Sequence, residues 1–281
     1  MSVRIVIDST NDTTPEVRAK CTVVPLTVHF GEEEYVDGVT IDHTRFYEKL
    51  VSSDVLPTTS QPTPDAFSKV FKEAVDAGDQ VVVITISAKL SGTYQSASIA
   101  AMDFPGSVYV VDSHNVAITA GILVERAVEM AESGMDAAAI AEQLAKERED
   151  LCLIAVLDTL EYLKKGGRIS KTVAFAGELL SIKPVISVDD GVINILAKAR
   201  GTKQGNVQLE KQIGLAGGID FSKPVLVGYT GTSDALLQKF LADSESLFAS
   251  VDPLHSTLLG SVIGTHAGPG AYAVAFYRKK A

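Results

Sequence analysis

The residues of this 281-residue chain that could do chemistry are hydroxyls, an imidazole and a few cations, gathered in four short segments. Pro57-Thr58-Thr59-Ser60-Gln61-Pro62 holds hydroxyl and amide side chains between two prolines, just ahead of a helical stripe over Asp65–Ala77. Ser87–Tyr94 (SAKLSGTY) follows Gln80–Ile86, a run almost continuously apolar, as a strand covered on both faces should be. A loop at the carboxyl end of a parallel strand, leading into a helix N-terminus, is where open α/β sheets hold anions. The N–H groups and hydroxyls of Ser91, Gly92 and Thr93 could therefore grip a carboxylate or a phosphate. Tyr162–Ser170 sets Lys164, Lys165 and Arg168 around Gly166-Gly167, a flexible and positive turn. Gly264–Gly270 places His266 alone among small residues. Each segment also has a plainer reading. Ser60 or Thr63 would cap one helix, Ser91 another, the basic turn would be solvated, and the histidine would be structural. The further basic step Lys198-Ala199-Arg200-Gly201 reads most simply as surface.

Familiar catalytic motifs are missing. There is no GxxxxGK[ST] loop, no HExxH and no GxSxG elbow, and the five histidines show no metal-ligand spacing. Gly268–Ala273 matches a relaxed GxGxxA, but a strand-like run follows it, so dinucleotide binding is rejected. Cys21 and Cys152 belong to no CxxC and are expected as reduced thiols. Any chemistry must be assembled from the polar loops.

The elements that would position those loops alternate β-branched runs with segments of helical period. Val3–Ile7, Gln80–Ile86, Val108–Val111 and Leu151–Val156 read as strands, with helices over Asp65–Ala77, Asn115–Glu132 and Asp136–Glu149. Repeated strand–helix–strand units imply a parallel sheet with helices on its faces. Beyond about residue 150 the pattern changes. Asp189-Asp190-Gly191 between two apolar runs predicts a hairpin. Val225–Tyr229 and Ala271–Tyr277 read as strands, and Asp234–Phe248 as a helix. The expectation is an α/β protein of two domains, 1–150 largely parallel and 151–281 mixed.

With 25 Lys and Arg against 35 Asp and Glu, the net charge of −10 argues against sequence-independent nucleic-acid binding and against adsorption to anionic membranes. No stretch approaches the length of a membrane span, and the opening MSVRIVIDST is not a secretory leader, so a cytoplasmic protein is expected. A content of 46% hydrophobic residues but only 6% aromatics makes the core mostly aliphatic.

Taken together, the segments resemble the DegV family of bacterial fatty-acid-binding proteins. The resemblance runs from Ile5-Val6-Ile7-Asp8-Ser9-Thr10 through Thr59-Ser60-Gln61-Pro62, Leu90-Ser91-Gly92-Thr93-Tyr94 and Val111-Asp112-Ser113. It continues through Leu163–Ser170 and Lys183-Pro184 to Thr265-His266-Ala267-Gly268-Pro269-Gly270. It implies a two-domain fold and a long-chain fatty acid in a buried tunnel, with no further cofactor. The acid would be handed to a separate fatty acid kinase, whose acyl phosphate product feeds phospholipid synthesis. By motif position, Thr59 and Ser91 would hold the carboxyl group, Ser60, Gly92 and Thr93 would belong to the same loops, and His266 would be a further partner. Arg168 and Arg200 would form a basic rim facing the kinase or the product phosphate. Two other readings of the polar loops stay open: an acyl hydrolase or transferase built on a Ser/Thr–His pair, and a small-molecule phosphotransferase.

Overall fold

The computed structural model describes residues 2–169, 182–251 and 253–280, so Ser170, at the end of the basic turn, lies outside it. Among the described residues the strands are, in chain order, β1 (Val3–Asp8), β2 (Cys21–Val24), β3 (Thr27–Phe30), β4 (Glu33–Val36), β5 (Thr58–Ser60), β6 (Gln80–Thr85), β7 (Val108–Asp112), β8 (Leu151–Val156), β9 (Ile182–Asp189), β10 (Val192–Arg200), β11 (Leu226–Tyr229), β12 (His255–Leu258) and β13 (Tyr272–Tyr277). They form a four-stranded sheet in the order β2-β1-β6-β7, a six-stranded sheet β10-β9-β8-β13-β11-β12 and a small sheet β4-β3-β5.

The first sheet is parallel throughout. Its inner strands read as unbroken apolar runs because helices cover both faces. Phe67 and Phe71 of the Pro64–Asp76 helix bury one face, together with Ala97 and Ala100 of the Thr93–Ala101 helix. The helices Ala117–Glu132 and Ala137–Glu147 bury the other. Thr63 caps the Pro64–Asp76 helix, accepting the Ala66 N–H at 3.3 Å, with Pro64 at the first helical position where no N–H is missed.

The six-stranded sheet is mixed, with only β11 and β12 parallel. Its central strands turn alternate residues to opposite faces. In the antiparallel register of β8 with β13, Cys152 pairs with Phe276, Ile154 with Val274 and Val156 with Tyr272. These residues face the helices Gly201–Leu215 and Ala235–Asp243. The alternate positions, including the directly opposed Ala155 and Ala273, turn toward the N-terminal half. On that face Leu151, Leu153 and Tyr277 fill one end, whereas the short side chains of Ala155, Ala273 and Ala275 leave space where they adjoin.

The structure departs from the sequence reading in four places. Thr58–Ser60 is an edge strand of a three-stranded sheet rather than a loop. Ser261–Ala267 is a helix, so His266 sits on a helical turn rather than in the expected loop. The segment expected as one helix over Asp234–Phe248 breaks at Ser244, whose hydroxyl donates to Glu210 Oε2 at 2.9 Å. The hairpin is longer than expected, and its turn residues Asp190 and Gly191 both have positive φ, as an Asp-Gly two-residue turn requires. No described helix is long and apolar enough to cross a membrane.

Candidate functional site

Between the alanine face of the six-stranded sheet and the loops at the carboxyl ends of β6 and β7 lies a cavity enclosing about 850 Å³ of space free of protein atoms, part of it open at a mouth. Its walls are aliphatic. Leu153, Ala155, Ile186 and Ala273 come from the sheet, Ile86 and Leu90 from the loop after β6, and Val262 and Ile263 from the Ser261–Ala267 helix. Ala117, also on the wall, holds φ +54°, a left-handed conformation that disfavours a larger side chain there. Among the described residues the polar lining is Thr59, Ser91, Arg168, His266 and Tyr272. Tyr272 is already committed, donating its hydroxyl to Asn206 Oδ1 at 2.6 Å on the far side of the sheet.

The other four side chains meet at one end. Thr59 Oγ1 and His266 Nε2 are hydrogen-bonded at 3.0 Å, although 207 residues separate them in the chain. Burial, with the Arg168 charge adding to it, holds the His266 imidazole down from 6.5 to about 4, so it is neutral near pH 7. Its Nδ1 is buried without a hydrogen-bond partner among the described residues. The Arg168 guanidinium donates to the carbonyls of Leu90 (3.2 Å) and Gly166 (2.6 Å), tying the basic turn to the Ser91 loop. Ser91 Oγ lies 2.9 Å from Thr93 Oγ1 and accepts the Thr93 N–H at 3.3 Å. A second space of about 550 Å³ adjoins this end, lined by Thr58, Tyr162 and Lys165 and sharing Thr59, Arg168 and His266.

Glycines make this convergence possible. A Cβ on Gly166 would lie 2.3 Å from His266 Nδ1, and one on Gly268 would lie 2.3 Å from the Tyr162 ring. The basic turn and the Gly264–Gly270 segment therefore interlock, each supplying a glycine against the other's ring. Gly268 also holds φ +71°. A Cβ on Gly92 would strike Gln61, whose amide donates to Gly92 O at 3.1 Å and Ser96 Oγ at 3.0 Å, joining the β5 segment to the Ser91 loop.

Carboxylates hold that loop from below. Asp8 accepts the Ile86 N–H at 2.7 Å and the Thr10 N–H at 2.8 Å. Asp112 accepts the Ala88 N–H at 3.2 Å and the His114 N–H at 3.0 Å. The motifs around Asp8 and Asp112 thus act as brackets on the backbone that presents Leu90 and Ser91. Burial raises the Asp8 carboxyl pKa, opposed by these same hydrogen bonds.

The structure brings Thr59, Ser91, Arg168 and His266 together at the cavity end. It does not bring the other expected residues there. Ser60 points to the opposite side of its strand and is 2.8 Å from His29 Nε2. Gly92 contacts Gln61, and Thr93 is buried beneath Ser91. Arg200 is an exposed residue at the end of β10, where its backbone N–H donates to Gln204 Oε1 at 3.1 Å. Sequence reasoning missed Gly166, Gln61 and the alanine pair 155/273. The glycine doublet and the amide between prolines were visible signals, whereas the alanines carried none until the register was known. Among the described residues no group of three His, Cys, Asp or Glu side chains could hold a metal ion.

Fold and site together define an α/β protein that encloses an aliphatic chamber closed at one end by hydroxyls, an imidazole and a guanidinium. The chain belongs to the DegV family: the family model, described as an uncharacterised protein of the DegV family, matches residues 2–279. A DegV domain-containing protein of Deinococcus radiodurans is 35% identical over 284 residues, covering 98% of each chain. The solved structure of a fatty-acid-binding DegV family protein from Thermus thermophilus matches with a TM-score of 0.87 and 33% identity, covering 99% of this chain and 100% of its own. A stearic acid-binding protein from Eubacterium ventriosum matches with a TM-score of 0.84 and 31% identity, covering 99% and 98%.

Proposed function

We propose that this chain binds a long-chain fatty acid in the cavity and presents the acid's carboxyl group to a separate kinase. The observation that carries the reading is the distribution of polarity: an aliphatic chamber with Thr59, His266 and Arg168 gathered at one end and Ser91 on the loop that Arg168 holds. The solved relatives described as fatty-acid-binding support the ligand class. Each buried methylene contributes ~0.8 kcal/mol, so a dozen offer about 10 kcal/mol before ordering costs. The carboxylate's desolvation is offset by Thr59, Ser91 and Arg168, at ~1.5–3 kcal/mol for each hydrogen bond to a charged group. His266 acts on Thr59. With Nε2 donating to Thr59 Oγ1, the threonine is free to direct its own O–H at the ligand. The residue ranges 1–150 and 151–281 serve as the two domains that enclose the ligand.

The second space beside the carboxyl end, with Lys165 and Arg168 on its walls, supports the hand-over step, because a phosphoryl group approaching the carboxylate meets cations there. A Ser/Thr–His hydrolase is less well supported. The imidazole is a weak base, and its Nδ1 has no carboxylate to orient it. The test is extraction of purified native protein under denaturing conditions followed by mass spectrometry. Near-stoichiometric long-chain acid is expected, and protein that carries none and takes up none from added stock overturns the reading. For hand-over, Arg168→Ala is expected to slow phosphorylation of bound acid by the kinase. Equal rates in variant and parent at saturating ligand would remove Arg168 from that role.

A further inference from the structure

The helix that carries His266 is anchored at its start by side chains from the other half of the molecule. The Gly260 N–H donates to Asp12 Oδ1 at 2.9 Å, and the Ser261 N–H donates to Asp37 Oδ1 at 3.2 Å. Both carboxylates are buried, at 3% and 1% exposed, and their Oδ2 atoms have no hydrogen-bond partner among the described residues. A Cβ on Gly260 would lie 3.2 Å from Asp12 Oδ1, 3.3 Å from His43 Nε2 and 3.6 Å from Asp37 Oδ2, so a larger residue would press on the side chains that converge on the helix start. The same face is gripped twice more. The Tyr47 hydroxyl donates to Leu259 O at 3.0 Å, and Gly264 sits so close to Phe46 and Tyr47 that a Cβ there would lie 2.6 Å from the tyrosine oxygen.

Two buried carboxylates with unpartnered oxygens are a costly way to stabilise a helix of seven residues, and apolar packing of similar volume would cost less. What the pair supplies is direction. Two directed N–H bonds fix where the axis begins and how it is tilted. His266 lies five positions beyond Ser261, about 7.5 Å along the axis at ~1.5 Å per residue. A tilt of about 10° at the anchored end would move the imidazole by roughly 1.3 Å, enough to break a hydrogen bond of ordinary length. The Thr59–His266 contact of 3.0 Å is such a bond.

We propose that Asp12 and Asp37 are positioning residues for the carboxyl end of the cavity: by fixing the start of the Ser261–Ala267 helix against the N-terminal half, they set His266 against Thr59. The proposal rests on the reading of Thr59 and His266 as the carboxyl-binding pair. Neither carboxylate touches the ligand.

The test compares two ligands on delipidated protein: a saturated long-chain acid and the 1-alkanol of equal length, each measured by displacement of a fluorescent fatty acid. In Asp12→Ala, Asp37→Ala and the double variant, acid affinity is expected to fall about 10- to 100-fold while alkanol affinity changes less than about threefold, as for a displaced polar contact. Asp12→Asn and Asp37→Asn keep an acceptor oxygen and are expected to stay within about threefold of the parent for the acid. Acid and alkanol affinities falling together would mean the pair merely supports the fold, and would overturn the proposal. So would an unchanged acid affinity in a folded Asp37→Ala protein, a single substitution that keeps the test open should the double variant not fold. Thr59→Val is measured alongside. If it leaves the acid-to-alkanol ratio unchanged, the carboxyl-site reading itself fails; if it lowers the ratio while the aspartate variants do not, only the positioning role fails.

Discussion

Replacing Ala273 by leucine puts the origin of the cavity to a quantitative test. Ala273 is 4% exposed and lies on the cavity wall opposite Ala155 in the β8–β13 register. Leucine adds three carbon atoms, and the backbone is fixed by hydrogen bonds to strands on both sides, so the added volume enters the space proposed for the acyl chain. Displacing about three methylenes at ~0.8 kcal/mol each removes about 2.4 kcal/mol, roughly a 50-fold loss for the longest acid the parent holds. Acids about three carbons shorter should bind the variant almost as well as they bind the parent. Filling empty space should leave the denaturation midpoint of the ligand-free protein unchanged or raised. The assay is titration of delipidated parent and variant with a homologous series of saturated acids, with urea denaturation alongside. A folded Ala273→Leu protein with the parent's chain-length profile would refute the claim that the alanine row forms the ligand's wall. An equal loss across all chain lengths would show that the substitution disturbs the carboxyl end instead.

Other outcomes follow from the same geometry. Ser91→Ala and Thr59→Val should each weaken retention of the acid by ~1–3 kcal/mol through loss of one charge-assisted hydrogen bond, read by direct titration; unchanged affinity in either removes that hydroxyl from the site. Gly166→Ala should weaken acid binding with the alkanol little affected, because the new Cβ would lie 2.3 Å from His266 Nδ1 and the ring must give way. The neutral, buried His266 predicts a pH dependence. Its pKa is lowered from 6.5 to about 4 in the fold, so on acidification the unfolded chain takes the proton first. The resulting stabilisation is complete above about pH 6.5 and is lost as pH falls toward about 4, by at most ~3.5 kcal/mol at about 1.4 kcal/mol per pH unit. Urea midpoints of the ligand-free parent and His266→Gln should therefore differ in their slope over that interval, and parallel curves would contradict the neutral, buried imidazole.

Much of the fold could be read directly where one physical signal dominates. Gln80–Ile86 and Leu151–Val156 are continuous apolar runs because both faces of each are covered, and Asp190-Gly191 marks its hairpin because few other pairs accept two positive φ angles. The three-stranded sheet escaped because β3, β4 and β5 are three or four residues long and carry histidine, glutamate and threonine on an exposed side, so no period emerges. The His266 helix escaped for a related reason. It spans seven residues, includes Gly264, and takes its N-terminal partners from Asp12 and Asp37 rather than from a local cap. The Gly201–Leu215 helix carries Gly205 and Gly214 and only a weak apolar stripe, with Gly205 needed where a Cβ would crowd Tyr272 Oη at 3.2 Å. At the site, Thr59, Ser91, Arg168 and His266 could be proposed as residue types beside strands and glycines. Their convergence could not, because it depends on long-range packing across both halves. Ser60 illustrates the limit: it neighbours Thr59 in sequence, but strand alternation turns it away.

Because the head of the chamber draws on positions 59, 91, 168 and 266, no growing chain that stops short of the last of these can complete it. The parallel sheet holds only strands from the first 112 residues, so it can form early in synthesis while the imidazole and the helix beneath it are still to come. The six-stranded sheet waits as well, because β13, the strand between β8 and β11, lies beyond residue 266. The alanine wall and the polar end of the chamber are therefore completed by one stretch, residues 261–277, which joins the two halves in a single late step.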